Sequence, residues 1–276
     1  MNDKRIQWIY SFIDTLLSIV RVVFLSRLKK TPQIQKKHDK CILLGNGPSL
    51  LSTMQKYEEK ISDYDIIAVN QMAVTDLFEK YRPDIYVIAD PDYWNGKECD
   101  ESNSLINALI EKTKWDLQFY MPYEANIPEI AEKLRMNPNI KIVFYNKTTF
   151  NGIKKIAYFM YNRQWGMVRA QTVLNAALML LIYSKYKSIY LAGADADWMK
   201  DLWVDEQNRL RIHDRHFYYQ DQQEDRILHL NMKEQCISLY YVFKNYSDIE
   251  DYSKYKKINI YNIYPRSFID VFEKIV

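Results

Sequence analysis

The chain has 276 residues, 48% of them apolar and 26% charged, with 38 Lys and Arg against 35 Asp and Glu, a formal charge of +3. That length accommodates one large α/β domain as readily as two smaller ones. The composition excludes a disordered chain, and so small a charge excludes a dedicated nucleic-acid binder. Cys41, Cys99 and Cys236 are widely spaced, odd in number and without a C-x-x-C pair, so they read as reduced thiols in a reducing cytosol rather than as a zinc site.

The first expected element is an amphipathic helix within residues 1–30. Residues 6–28 are the most apolar stretch, but Asp14 and Arg21 interrupt it and no small-residue cleavage site follows, unlike a secretory signal. Gln7, Ser11, Asp14, Ser18 and Arg21 recur at helical spacing on one narrow stripe, and Trp8, Phe12, Leu16, Val20 and Phe24 belong to the apolar arc around it. A spanning helix would bury Asp14 and Arg21 at about 2.5–3.5 kcal/mol each, whereas a helix lying in the membrane interface keeps them wet. Packing on the protein or on a second copy is the other course open to it. Residues 31–39, polar and containing Pro32, read as a linker.

From residue 40 to 276 short β-branched runs alternate with helical stretches, the pattern of a single Rossmann-like α/β domain with a mostly parallel sheet covered by helices. Strands are expected at 41–44, 66–69, 85–89, 118–121, 141–145, 188–191 and 257–261, and helices at 49–60, 73–80, 102–114, 127–135, 172–184, 233–244 and 267–274. The polar, aromatic excursion 198–231 reads as a lid-like insertion.

The sharpest motif is Gly45-Asn46-Gly47-Pro48-Ser49, directly after the first strand. Its glycines permit a tight turn close to a ligand, and the helix start behind it offers free N–H groups to an anion. It is neither the G-x-G-x-x-G fingerprint nor a P-loop. Asn70-Gln71 and Asp90-Pro91-Asp92 bring polar side chains to the carboxyl ends of the next two strands, where open α/β sheets bind ligands. Farther on, Gln171 and Thr172 would cap the following helix with Arg169 beside them, and Gly193 and Asp195 end a later strand. Asp195-Ala196-Asp197 also fits D-x-D, a pattern able to share a divalent cation with a diphosphate sugar.

Gly-Asn-Gly-Pro-Ser, Asn-Gln, the acidic-Pro pair and Tyr190-Leu191-Ala192-Gly193-Ala194-Asp195 together resemble the bacterial sialyltransferases of glycosyltransferase family 42. They also resemble the related domain of motility accessory factors and archaeal 6-hydroxymethylpterin diphosphokinases. Tyr264-Pro265-Arg266-Ser267 is similar to the closing Pro-x-Ser turn of that group. The resemblance implies a CMP-activated acidic sugar, metal-independent inverting transfer without a cofactor, and a histidine general base. It places Asn46, Asn70 and Asp90 on the cytidine nucleotide, Arg169 and Thr172 at its phosphate, and His216 or His213 in the lid as the base. His216 is preferred because Phe217, Tyr218 and Tyr219 follow it. Three positions depart from the pattern. Asp90 stands for an Asn, Arg-Ala-Gln-Thr for Arg-x-Thr-Ser, and Asp197 for a phosphate-binding Tyr.

The expected function is therefore an inverting glycosyltransferase that moves a sialic-acid-like sugar or Kdo from a CMP donor. Its acceptor would be a glycan or a lipid-linked glycan in surface polysaccharide synthesis. The protein would be cytoplasmic and peripheral on the inner face of the membrane, free of nucleic acid, and able to form a homo-oligomer. The alternatives are a metal-dependent UDP- or GDP-sugar transferase working through Asp195 and Asp197, a pterin-type diphosphokinase, and a non-catalytic membrane scaffold.

Overall fold

The computed structural model describes residues 4–94, 100–213, 217 and 225–275; Cys99, His216, Tyr218 and Tyr219 lie outside them. Helix α1 (Lys4–Leu25) precedes β1 (Lys40–Leu44), α2 (Leu50–Gln55), β2 (Asp65–Val69), α3 (Asp76–Tyr81), β3 (Ile85–Val87), α4 (Asp100–Lys112) and β4 (Leu117–Pro122). There follow α5 (Pro128–Arg135), β5 (Ile140–Tyr145), α6 (Lys154–Arg163), α7 (Val173–Tyr183) and β6 (Ser188–Ala192). A small antiparallel sheet of β7 (Leu202–Val204), β8 (Leu210–His213) and β9 (Asp225–Ile227) comes next, then α8 (Met232–Tyr255), β10 (Asn259–Asn262) and β11 (Glu273–Lys274).

The main sheet runs β11-β10-β6-β1-β2-β3-β4-β5, and every neighbouring pair in it is parallel. Strands β1–β4 are sandwiched, which explains their nearly continuous apolar runs. In β1, Cys41 and Leu43 enter the core under α6, α7 and α8, while Ile42 and Leu44 enter the core under α2, α4 and α5. All four are fully buried, worth about 1.5–3 kcal/mol for each leucine or isoleucine side chain. The α/β class, the mostly parallel sheet and an insertion between β6 and α8 follow the sequence pattern, and the insertion carries the three-stranded sheet β7-β8-β9.

Several elements differ from expectation. The helix expected at 49–60 stops at Gln55 and resumes as a 3-10 turn at Glu58–Asp63. That expected at 73–80 divides into a 3-10 turn at Asn70–Val74 and α3. The amphipathic helix α6 has no counterpart in the expected set. α8 is twice the expected length because its second half buries Asn245, Tyr246, Ile249, Tyr252 and Ser253, a mixed face that an apolar periodicity does not reveal.

No helix forms at 267–274. Ser267 is buried there, donating its Oγ to Ala194 O (2.6 Å) and accepting the Ile269 N–H (3.1 Å), and the chain continues into β11. The physical reason is the tertiary bond from Ser267 to Ala194 O, which fixes the segment against the turn after β6 instead of letting it coil.

The stripe on α1 also behaves differently from expectation. Ser11 and Ser18 turn toward the protein together with Thr15 and Val22, while Gln7, Asp14 and Arg21 remain exposed.

Candidate functional site

The strand order reverses at β1, which has β2 on one side and β6 on the other. Successive connections therefore leave toward opposite faces there and open a crevice at the strands' carboxyl ends. Gly45 N–H donates to Ala192 O (2.8 Å) and Gly47 N–H to Gly193 O (2.9 Å), so the pairing of β1 with β6 runs on into the turns. At Gly193, φ is +63°, and a Cβ on it would lie 2.6 Å from Gly45 O, while one on Gly45 would strike Gly193 O. Only glycine allows the two backbones to cross so closely.

Asp195 closes this crossing from behind. Its buried Oδ2 accepts Ser49 Oγ–H (2.8 Å) and Ser49 N–H (3.4 Å). Burial raises the Asp195 pKa above the ordinary carboxylate value, with the nearby Asp197 charge adding to it and the Ser49 bonds opposing it. Phe268 N–H donates to Asp195 O (2.8 Å), so the carboxyl-terminal Tyr264–Ser267 turn clamps the same segment. Asp197 pairs with Lys200 Nζ (3.0 Å). The two carboxylates of the D-x-D therefore each serve a local partner, and the described residues hold no group of three or more His, Cys, Asp or Glu able to share a metal.

At the end of β2, Asn70 is left-handed (φ 48°), a conformation that costs most residues energy but that Asn tolerates. Tyr86 of β3 holds it there. The phenol donates to Asn70 O and accepts the Ala73 N–H (2.9 Å). The Asn70 Oδ1 is buried without a hydrogen-bond partner among the described residues, a cost that a ligand donor would relieve. Asn46 Nδ2 lies 3.4 Å from Val69 O, tying the first turn to the second. Asp90 accepts the Asp92 N–H (3.1 Å) and so caps the Pro91–Tyr93 turn at the end of β3.

On the other wall, Thr172 and Asn175 form a reciprocal capping box on α7. Thr172 Oγ1 also lies 3.5 Å from Tyr246 OH, a phenol that burial pushes up to about 12 and so keeps neutral. Gln171 Nε2 donates to Ser238 Oγ (3.1 Å), and the Arg169 guanidinium sits over the Tyr241 ring at 4.6 Å.

These residues line one cavity of about 660 Å³, a volume suited to a nucleotide-sized ligand. Of the residues singled out from sequence, Gly45, Asn46, Gly47, Asn70, Asp90, Arg169, Gln171, Thr172, Gly193 and Asp195 contribute to its lining. Ser49 stands behind it on Asp195. His213 does not line it and lies 3.1 Å from Asp225 on the inserted sheet. His216 is outside the described residues, although its neighbour Phe217 donates its backbone N–H to Asn46 O (3.2 Å).

Sequence reasoning missed Lys147, Tyr93, Trp198, Asp201, Arg226 and Tyr246. Lys147 was findable, since Asn146-Lys147 follows β5 just as the other polar pairs follow their strands. Its ammonium donates to Ala89 O (2.8 Å), pairs with Glu124 (2.9 Å) and lies over the Trp94 ring. Arg226 is one arginine in a polar segment and carried no such signal.

Comparison with known proteins adds three findings. The family described as "6-hydroxymethylpterin diphosphokinase MptE-like" matches residues 11–201. No curated protein matches the chain. Among solved structures, the MAf glycosyltransferase from Magnetospirillum magneticum AMB-1 is similar in fold, with a TM-score of 0.54 at 11% identity. The match covers 95% of this chain but only 38% of that protein.

Proposed function

The chain belongs to the 6-hydroxymethylpterin diphosphokinase MptE-like family, and from that premise we propose that it is a glycosyltransferase using a nucleotide-activated sugar. The observation that carries the reading is the division of the cavity lining. Amide side chains from Asn46, Asn70 and Gln71 follow β1 and β2, while the cations Lys147, Arg169 and Arg226 come from three other segments, Arg169 shortly before α7, and offset the carboxylates of Asp90, Asp195, Asp197 and Asp201 in the same lining. Amides suit the base and ribose of a nucleotide, and cations at a helix start suit its phosphate. The fold shared with a glycosyltransferase favours sugar transfer, and the resemblance of the motifs to the sialyltransferases suggests a CMP-linked acidic sugar as donor.

In that reaction an acceptor hydroxyl attacks the anomeric carbon from the face opposite the nucleotide. The new C–O bond forms as the bond to the phosphate oxygen breaks, so configuration inverts and CMP leaves with the electron pair. The hydroxyl proton passes to His216, histidine being the side chain that most often serves as general base. Arg169 and Lys147 balance the charge growing on the leaving phosphate. No step uses a metal.

The family description itself favours a second reading, diphosphate transfer to a pterin, which requires a nucleoside triphosphate with magnesium. A thermal-shift panel of CMP, UDP, GDP and ATP, each with and without a divalent cation, separates the two. A ligand at about a hundredfold its Kd stabilises by about 2.7 kcal/mol. Stabilisation by CMP without metal is expected. Stabilisation only by ATP with magnesium would replace the first reading by the second, and stabilisation only by UDP or GDP with metal would return the Asp195/Asp197 reading.

A further inference from the structure

Helix α1 is docked on the domain through its polar side. Thr15 and Ser18 are buried; Thr15 Oγ1 accepts the Ile153 N–H (2.9 Å) and Ser18 Oγ accepts the Asn151 N–H (2.9 Å). Gly152 fits directly beneath, where a Cβ would lie 2.7 Å from Thr15 N and 2.8 Å from Ser11 O. The apolar arc consequently points away from the protein, with Trp8 61%, Leu17 58%, Val23 62% and Phe24 80% exposed. A helix of a water-facing surface shows the opposite arrangement.

Charge separates in the same direction. Residues 1–30 hold six Lys or Arg against two Asp, a balance of 6 − 2 = +4, so the remainder of the +3 chain carries −1. At the carboxyl end of α1 a second cavity, about 650 Å³, is lined by Arg21, Phe24, Leu25 and Arg27, and by Lys147 with its ion-pair partner Glu124. Cations beside exposed apolar side chains match a lipid phosphate and the first part of its acyl chain. Lys147 lines this cavity and the larger one alike.

We propose that α1 lies flat in an anionic lipid surface, apolar arc inward, with the groove at its carboxyl end receiving a lipid phosphate. By length and hydropathy α1 could also cross a bilayer. Crossing, however, would carry the non-helical segment 149–153, bonded to Ser18 and Thr15, into hydrocarbon that cannot satisfy its backbone. The flat orientation leaves that segment on the protein side. It is independent of which group the enzyme transfers, and it places the larger cavity beside the membrane surface.

Flotation of the full chain with vesicles tests this. The protein is expected to float with phosphatidylcholine containing phosphatidylglycerol, to float weakly with phosphatidylcholine alone, and to be released by alkaline carbonate. Joint Leu17→Asp and Phe24→Asp substitution should abolish flotation. Joint Arg27→Gln, Lys29→Gln and Lys30→Gln substitution should weaken partitioning to anionic vesicles by about a hundredfold, at about fivefold per charge near the surface. Unchanged melting of both variants shows that the domain still folds, and their nucleotide-induced shifts report separately on the larger cavity. Absence of flotation, equal flotation with neutral vesicles, or resistance to carbonate would each overturn the proposal. So would a dimer that the Leu17/Phe24 variant dissociates in a protein that ignores vesicles.

Discussion

Ser49 and Asp195, 146 positions apart, are joined by a hydroxyl-to-carboxylate bond of 2.8 Å that locks the turn after β1 to the turn after β6. Asp195 is buried there with its pKa raised by desolvation. A carboxyl whose folded pKa exceeds its unfolded value near 3.9 binds its proton more tightly when folded, so its contribution to stability falls as pH rises through the folded value. Asparagine keeps an acceptor for Ser49 but does not titrate. Melting temperatures should therefore shift in favour of Asp195→Asn over wild type as pH is raised from the acid side toward neutrality. A difference that is flat with pH, or that moves the other way, would show that Asp195 is not the desolvated group described.

Asn70 separates backbone from side-chain effects. Its left-handed conformation costs an ordinary residue about 1–2 kcal/mol, whereas glycine adopts it freely. Asn70→Gly should melt close to wild type yet lose much of its nucleotide-induced shift, since the orphaned Oδ1 is gone. Asn70→Ala should lose both. An undiminished nucleotide shift in the glycine variant would take Asn70 out of the binding set.

Gly45 tests the crossing of β1 and β6. Gly45→Ala directs a methyl group at the Gly193 carbonyl, which is backbone and cannot swing away. Destabilisation of about 1–3 kcal/mol is expected from such overpacking, measurable by urea unfolding. A loss of a few tenths would mean that the two turns are free to separate.

Much of the sheet was legible because buried parallel strands are short apolar runs, as β1 and β2 are, each standing between polar turns. The glycine turn and the polar residues after β2 and β3 were legible for the related reason that a ligand crevice forms where strands end. What escaped was structure held by tertiary bonds. The half of α8 beyond Lys244 packs tyrosines together with buried Asn245 and Ser253. The tail at 267–274 has helical spacing but a serine claimed by Ala194 O. The orientation of α1 escaped because amphipathicity gives a helix two faces without saying which one meets the protein. Ser18 and Thr15 meet it because the Asn151 and Ile153 N–H groups need acceptors.

Lys147 follows β5 by the same strand-end rule and should bind donor phosphate. Lys147→Met keeps most of the side chain's length but removes the ammonium that meets Ala89 O, Glu124 and the Trp94 ring. Removing a charge-assisted hydrogen bond typically costs about 1.5–3 kcal/mol, so the Kd for CMP should rise by about tenfold to a hundredfold. Cytidine, which lacks the phosphate, should bind both proteins alike. An equal loss for cytidine would assign Lys147 to the wall rather than to the phosphate.

The general base is the last point the site leaves to experiment. His213 is held on the inserted sheet by Asp225 and does not line the cavity. Phe217, beside His216 in sequence, donates its backbone N–H to Asn46 O in the turn after β1. His216→Ala should therefore lower kcat by about 10²–10⁴-fold, the usual worth of general-base catalysis, with little change in CMP binding. His213→Ala should stay within a fewfold of wild type, because it removes an exposed pair of small energetic value. The pH profile of kcat should lose its acid limb in the His216 variant alone, which a merely structural defect would not produce. Equal, near-wild-type rates in both variants would end the histidine mechanism and turn the search to Asp90 and Asp92 at the end of β3.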